Sequence, residues 1–179
     1  PTIDAMTDTA LNAETPTRNA DPAELAKFGE AAHRWWDPHS EFRPLHEINP
    51  LRLAWIDGLC PLKGLNLLDV GCGGGLLAEA LARQGAAQVL GIDLSHKALG
   101  VAELHAMEGE VMNLRYREVA VEQLAGERPG GFDAVTCLFR SIGYMPTVED
   151  LSAAVATMAR HLVAEGVLVV DGWVRPDAW

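Results

Sequence analysis

Between residues 65 and 81 an apolar run breaks into a cluster of glycines and then resumes at a different period. Leu65 to Val70 reads as a buried strand, Gly71-Cys72-Gly73-Gly74-Gly75 as a tight turn, and Leu76, Leu77, Ala80 and Leu81 as a helix that Gly85 closes. A strand that feeds a helix through bare backbone opens a nucleotide-binding half-fold, because a ligand can approach the unpaired N–H groups of the helix N-terminus. A branched side chain at Gly73 is expected to fill the space such a ligand needs.

Strand and helix go on alternating downstream. Val89 to Ile92 is a second strand, and Ser95 caps a helix through Ala98, Leu99, Ala102, Leu104 and Ala106 that Gly109 stops. Leu114 to Val119 alternates outward Arg115 and Arg117 with apolar or aromatic neighbours, and Phe132 to Leu138 is a fourth strand. Thr147 with Asp150 resembles a capping box ahead of an apolar stripe from Leu151 to Leu162; Gly166 is expected to end that helix, and Val167 to Val170 forms a fifth strand. Strands separated by helices imply an α/β, doubly wound, mostly parallel sheet of order 3-2-1-4-5. Before the sheet, Asp21-Pro22 starts one helix through Leu25, Phe28, Ala32, Trp35 and Trp36 to about Asp37, and Asn49-Pro50 starts a second that stops at Gly58. Residues 1–21, acidic and without apolar period, read as a disordered leader, so the folded domain is expected over 22–179.

Two carboxylates qualify the glycine turn. A pyrophosphate site would be repelled by Asp69, two residues before Gly71, whereas a cationic ligand suits it. Asp93 closes the next strand 20 residues beyond Gly73, the ribose-binding position of the nucleotide half-fold. A nucleoside carrying positive charge meets both demands, and S-adenosyl-L-methionine is such a molecule.

Composition excludes several alternatives. Fourteen Lys and Arg against 25 Asp and Glu leave a net charge of −11, which disfavours a nucleic-acid partner. No apolar run approaches the ~20 residues of a membrane span. Cys60, Cys72 and Cys137 are odd in number and lack metal-ligand spacing, as expected of reduced thiols in the cytoplasm. His33, His39 and His46 show no metal spacing either, so no metal site is expected.

The turn Leu68-Asp69-Val70-Gly71-Cys72-Gly73-Gly74-Gly75 resembles that of the class I S-adenosylmethionine-dependent methyltransferases. The runs Arg34-Trp35-Trp36-Asp37, Glu41-Phe42-Arg43-Pro44-Leu45-His46 and Ile48-Asn49-Pro50-Leu51-Arg52 narrow the resemblance, over residues 22–137, to the bacterial ubiquinone-biosynthesis O-methyltransferases. That resemblance implies that Arg52 reaches the methionine carboxylate, Gly71 and Gly73 line its backbone, Asp93 with Leu94 beside it takes the ribose, and Leu138 lies at the methyl end. From the residues alone, Arg52 reads equally as a solvated helix-face arginine. Ala120 stands where many relatives carry an acid, leaving Val121 and Glu122 beside the adenine. The acceptor implied is a small molecule, a prenylated catechol, with peripheral contact at the inner membrane.

The resemblance changes after the fourth strand. The quinone family continues Cys-Met-Glu-x-x-Glu-His, whereas this chain reads Cys137-Leu138-Phe139-Arg140-Ser141-Ile142-Gly143-Tyr144. Tyr144 is then the nearest proton-exchanging group and the candidate catalytic residue. Residues 132–179 are similar to aminosugar N,N-dimethyltransferases, which makes a chimera joined at Phe132–Cys137 the expectation and N-methylation of a nucleotide-linked amino sugar the alternative function. The class usually adds strands six and seven, which are expected to be absent here, so a cofactor-binding fragment without turnover is a third reading.

Overall fold

Five short segments, of which the first, second and fifth are rich in Val, Ile and Leu, pair into one sheet in a computed structural model of the chain: β1 (Asn66–Val70), β2 (Gln88–Asp93), β3 (Leu114–Glu118), β4 (Phe132–Cys137) and β5 (Leu162–Val170). All neighbours are parallel and the order is β3-β2-β1-β4-β5, as the sequence pattern requires. The structure describes residues 29–126, 131–145 and 147–172, with only the backbone of Ala125, Gly126 and Tyr144. The expected leader, Leu25 and Phe28 of the first helix, and the chain from Trp173 onward lie outside the described residues.

Alternation along the strands sends successive side chains to opposite faces and builds two cores. Leu67, Val89 and Ala134 join Ile56, Leu81 and Leu99 on one face. These belong to the helices α1 (Arg43–Leu59), α2 (Leu76–Arg83) and α3 (His96–Glu108). Leu68, Ile92 and Val135 join Met158 of α4 (Val148–His161) and Val121 and Leu124 of a 3-10 segment, Val121–Gly126, on the other. Ser95 caps α3 through Ala98 N, and Thr147 caps α4 through Asp150 N, as expected.

Three boundaries differ from the sequence reading. The pre-sheet helix does not continue to Asp37: it tightens to 3-10 over Ala32–Arg34, and the Ser40 hydroxyl donates to the carbonyls of Arg34 and Asp37 at 2.9 and 2.7 Å. The next helix, α1, begins at Arg43 rather than at Asn49-Pro50. Pro44 occupies the first turn, where a missing N–H costs nothing, and α1 runs on through Pro50. Gly166 does not stop α4, which ends at His161. Instead Gly166 sits in an irregular start of β5, where Phe132 faces Leu162 but Ala134 faces Val167 and Glu165 takes φ +66°.

Leu68, fully buried in the central strand, belongs to the second core with Met158 of α4, so a smaller residue there would leave a cavity. Leu68→Ala is expected to lower unfolding free energy by about 2–5 kcal/mol, read as the shift of a urea denaturation curve.

Candidate cofactor site

The glycine turn is built by bonds to the end of β2. The N–H groups of Gly71 and Cys72 both donate to Ile92 O, at 2.8 and 3.0 Å, and Gly73 N donates to Asp93 Oδ2 at 2.8 Å. Asp93 Oδ1 meanwhile accepts from Ser95 N at 2.8 Å. Each Asp93 oxygen therefore keeps acceptor capacity after tying down backbone. Burial raises the pKa of Asp93, and its backbone N–H bonds oppose the rise.

Arg52, Asp69, Gly71, Gly73, Asp93, Leu94, Val121 and Leu138 all line one cleft at the carboxyl ends of β1, β2 and β4. Sequence spacing had no way to bring Arg52, from α1, to this group, and the structure does so by an ion pair. Its guanidinium pairs with Asp171, just past β5, and lies 5.0 Å from the Phe139 ring centroid. With its side chain 16% exposed, Arg52 is not the solvated arginine that helix position alone allows. Tyr144 lies in a 3-10 turn, Ser141–Tyr144, but its side chain is outside the described residues.

Asp69 is the electrostatic centre of the cleft. It is 3% exposed; Thr136 Oγ1 donates to its Oδ1 at 2.7 Å, while Oδ2 is buried with no hydrogen-bond partner. Burial, with Asp93 nearby, pushes its pKa up to about 7, against the opposing effects of Thr136 and Arg52. Cys72, in the same turn, has its thiol pushed well above the ordinary value by burial and by both acids, which removes it as a nucleophile.

The need for glycine at position 73 has a source that sequence reasoning missed. A Cβ built there would lie 2.3 Å from the Trp35 ring, and one on Gly71 would lie 2.3 Å from Ser141 Oγ. Both glycines have positive φ, +53° and +70°. A side chain at 73 thus collides with the Trp35 ring that lines the cleft, so the protein itself requires glycine there in addition to the space expected for a ligand. Trp35 itself lines the cleft, stacked on Phe42 with centroids 4.2 Å apart. Asn49, also lining it, donates to Leu76 O at 3.0 Å and fastens α1 to α2. Asp171 could have been suspected, since acids just after parallel strands face the ligand edge of such sheets. Trp35 and Asn49 carried no signal of their own beyond the resemblance of the runs that contain them.

The profile of a family described as Methyltransferase domain matches residues 67–166, more than half of the chain and every strand of the sheet but the ends of β1 and β5. The chain belongs to this methyltransferase-domain family. Among curated proteins, the ubiquinone biosynthesis O-methyltransferase of Paracidovorax citrulli is 59% identical over 158 residues, covering 88% of this chain and 62% of the relative. A match of that length includes residues 22–158, so it runs through the junction expected at Phe132–Cys137. This methyltransferase-domain chain spans about three-fifths of the length of the curated relatives it matches. Among solved structures, magnesium protoporphyrin IX methyltransferase from Synechocystis PCC 6803 with bound SAM has a TM-score of 0.63 at 28% identity, covering 87% of this chain and 74% of that one. A SAM-bound amino pentose methyltransferase from Micromonospora echinaspora has a TM-score of 0.60 at 29% identity, covering 88% of this chain and 58% of that one. Among the described residues no group of three His, Cys, Asp or Glu side chains is placed to hold a metal ion, and no helix is long and apolar enough to cross a membrane.

Because Asp69 in the fold has a pKa above the ordinary 3.8, the folded chain holds this proton more tightly than the unfolded chain. That stabilisation is fully present below about pH 4 and is lost as pH rises through about 7. Asp69→Asn keeps an acceptor for Thr136 and is expected to flatten the dependence. The loss of unfolding free energy from about pH 4 to pH 8, read by urea titration, should be smaller in the variant than in wild type by on the order of 2–4 kcal/mol; an unaltered slope would mean that Asp69 ionises normally.

Proposed function

We propose that this chain binds S-adenosyl-L-methionine and forms the donor-binding part of an O-methyltransferase acting on a polyprenyl catechol intermediate of ubiquinone biosynthesis. One observation carries the reading: a buried carboxylate oxygen of Asp69 without a partner lines a largely apolar cleft, and a cationic ligand is the partner that removes its cost. The residues fit the cofactor in other respects too. Asp93 has free acceptor capacity for two ribose hydroxyls, Arg52 is a cation for the methionine carboxylate, and Leu94, Val121 and Leu138 are apolar walls for the rest. Asp171, which now occupies Arg52, would yield that partner on binding. When bound, the cofactor supplies an electrophilic sulfonium methyl.

The protein's own part is to position the acceptor, exclude water and take up a proton. In this reading residues 22–179 form one domain behind the leader of residues 1–21, Tyr144 is the group that exchanges the acceptor proton, and a prenylated acceptor brings the chain into peripheral contact with the inner membrane from the cytoplasm. The similarity to the Paracidovorax citrulli protein supports the quinone acceptor. The amino pentose methyltransferase neighbour, together with a Ser141–Tyr144 turn free of acids, favours a second reading, N-methylation of a nucleotide-linked amino sugar. A neutral amine needs no strong base.

Asp93→Ala is expected to abolish most affinity for S-adenosylhomocysteine, at about 1.5–3 kcal/mol for each charged hydrogen bond lost. Calorimetry on a variant shown to be folded measures this, and an unchanged dissociation constant would refute the ribose role. A catechol hydroxyl, with a pKa near 10 by analogy with tyrosine, is mostly protonated at neutral pH. Leu138, Phe139, Ser141, Ile142 and Gly143 cannot accept its proton and Arg140 is permanently cationic. Catechol O-methylation is therefore expected to be slow, insensitive to magnesium, faster as pH rises, and accelerated by the combined changes Phe139→Glu, Ile142→Glu and Gly143→His. Assays on a catechol and on an amino sugar, run beside a cofactor titration, separate the two acceptors from binding without turnover; rapid, chelator-sensitive catechol methylation would contradict this account of the proton.

A further inference from the structure

The pre-sheet segment brings both of its adjacent tryptophans to the glycine turn. Trp35 lines the cleft and packs on Gly73 and Gly74, whereas Trp36, which is not part of the cleft lining, reaches the turn's last peptide: its indole Nε1–H donates to Gly74 O at 2.9 Å. The N–H at the other end of that same peptide, from Gly75, donates to Cys72 O at 3.0 Å. The peptide that leads into α2 is thereby pinned at both ends.

What holds the indole is equally specific. The Trp36 ring lies flat on the imidazole of His105, with centroids 3.4 Å apart and planes 4° from parallel. His105, on α3, is in turn held by Glu79 of α2, whose Oε2 lies 2.7 Å from His105 Nδ1. Glu79 is 3% exposed, and its other oxygen accepts from Arg83 Nε at 2.8 Å. A buried carboxylate with two committed partners is costly to disturb, so the imidazole is a fixed platform rather than a mobile surface ring.

We propose that Trp36 is a positioning residue for the cofactor turn, with His105 on Glu79 acting as the platform that keeps its N–H on the Gly74 carbonyl. The inference rests on the reading of this turn as an S-adenosylmethionine site. It gives the turn a second anchor: Asp93 ties Gly73 from the sheet, and Trp36 ties Gly74 from the pre-sheet segment. In a site whose ligand meets backbone, rotation of one peptide plane misplaces the N–H groups that face it.

The test is a double-mutant cycle on the full chain, read by the dissociation constant for S-adenosylhomocysteine. Trp36→Phe keeps a ring for His105 but has no N–H, and is expected to weaken binding about tenfold, or ~1.4 kcal/mol. His105→Ala removes the platform and is expected to weaken binding several-fold when Trp36 is present, yet to add nothing when it is Phe, because His105 acts only through the indole. A general loss of packing would instead make the two factors multiply, and that result, or an affinity untouched by Trp36→Phe, would overturn the proposal. A second measurement does not depend on the Trp36 variant folding: by NMR, the wild-type Trp36 indole N–H should exchange slowly with solvent and faster in His105→Ala. Free, water-like exchange in the wild type would overturn the proposal on its own. No binding of S-adenosylhomocysteine by the wild-type chain would defeat the cofactor reading, an outcome distinct from a wild-type affinity that Trp36→Phe leaves unchanged.

Discussion

The arrangement of the site depends on a short set of hydrogen bonds that fasten the turn after β1 to the end of β2. Ile92 O takes two N–H groups and the Asp93 carboxylate takes a third, so the glycine backbone is locked to the central strands rather than left to its own conformational freedom. Parallel pairing of β1 with β2 is what brings these ends together: Val70 faces Ile92 in the register. The same lock holds the Asp93 carboxylate at the strand end, where it ties the backbone of Gly73 and Ser95 and keeps acceptor capacity on both oxygens.

The acids near the turn make the cleft an unfavourable place to be empty of positive charge. Asp69 lies behind the turn, out of water, with one oxygen on Thr136 and one on nothing, and Asp93 is close enough to raise its pKa further. Arg52 partly balances them, yet it is itself committed to Asp171 and packed on Phe139. A chain with net charge −11 thus keeps a buried, unpartnered carboxylate oxygen in its cleft. This is the electrostatic counterpart of a cationic donor, and it separates the site from the pyrophosphate cradles built on a similar backbone.

The pre-sheet segment and α1 supply what the sheet alone lacks. Trp35, Phe42, Leu45 and Leu76 form a small core of their own over the turn, and Asn49 bonds α1 to the first turn of α2. These contacts explain why the run from Arg34 to Arg52 is as informative as the glycine cluster: its aromatic and polar side chains shape one wall of the cleft and, through Trp36, the turn itself. Beyond β4 the wall changes character, with the apolar Leu138, Phe139 and Ile142 lining the cleft.

The strands, their parallel order and the placing of the turn were legible in the sequence because they rest on local signals: apolar runs of strand length, helical spacing, Ser95 and Thr147 at helix starts, and acids at strand ends. So was the place of Asp69, Gly71, Gly73 and Asp93 at the cleft, since they lie within a few residues of those signals. Helix boundaries set by competition were not legible. Pro50 stays inside α1 because packing of Leu45 and Ile56 outweighs one lost backbone bond, and Gly166 joins β5 because the sheet offers partners that a helix end does not. The pairing of Arg52 with Asp171, the orphaned oxygen of Asp69 and the contact of Trp35 with Gly73 join residues separated by tens of positions. Only the tertiary structure decides them, because distance in space, burial and shared hydrogen-bond partners arise when the sheet closes and carry no mark in local sequence.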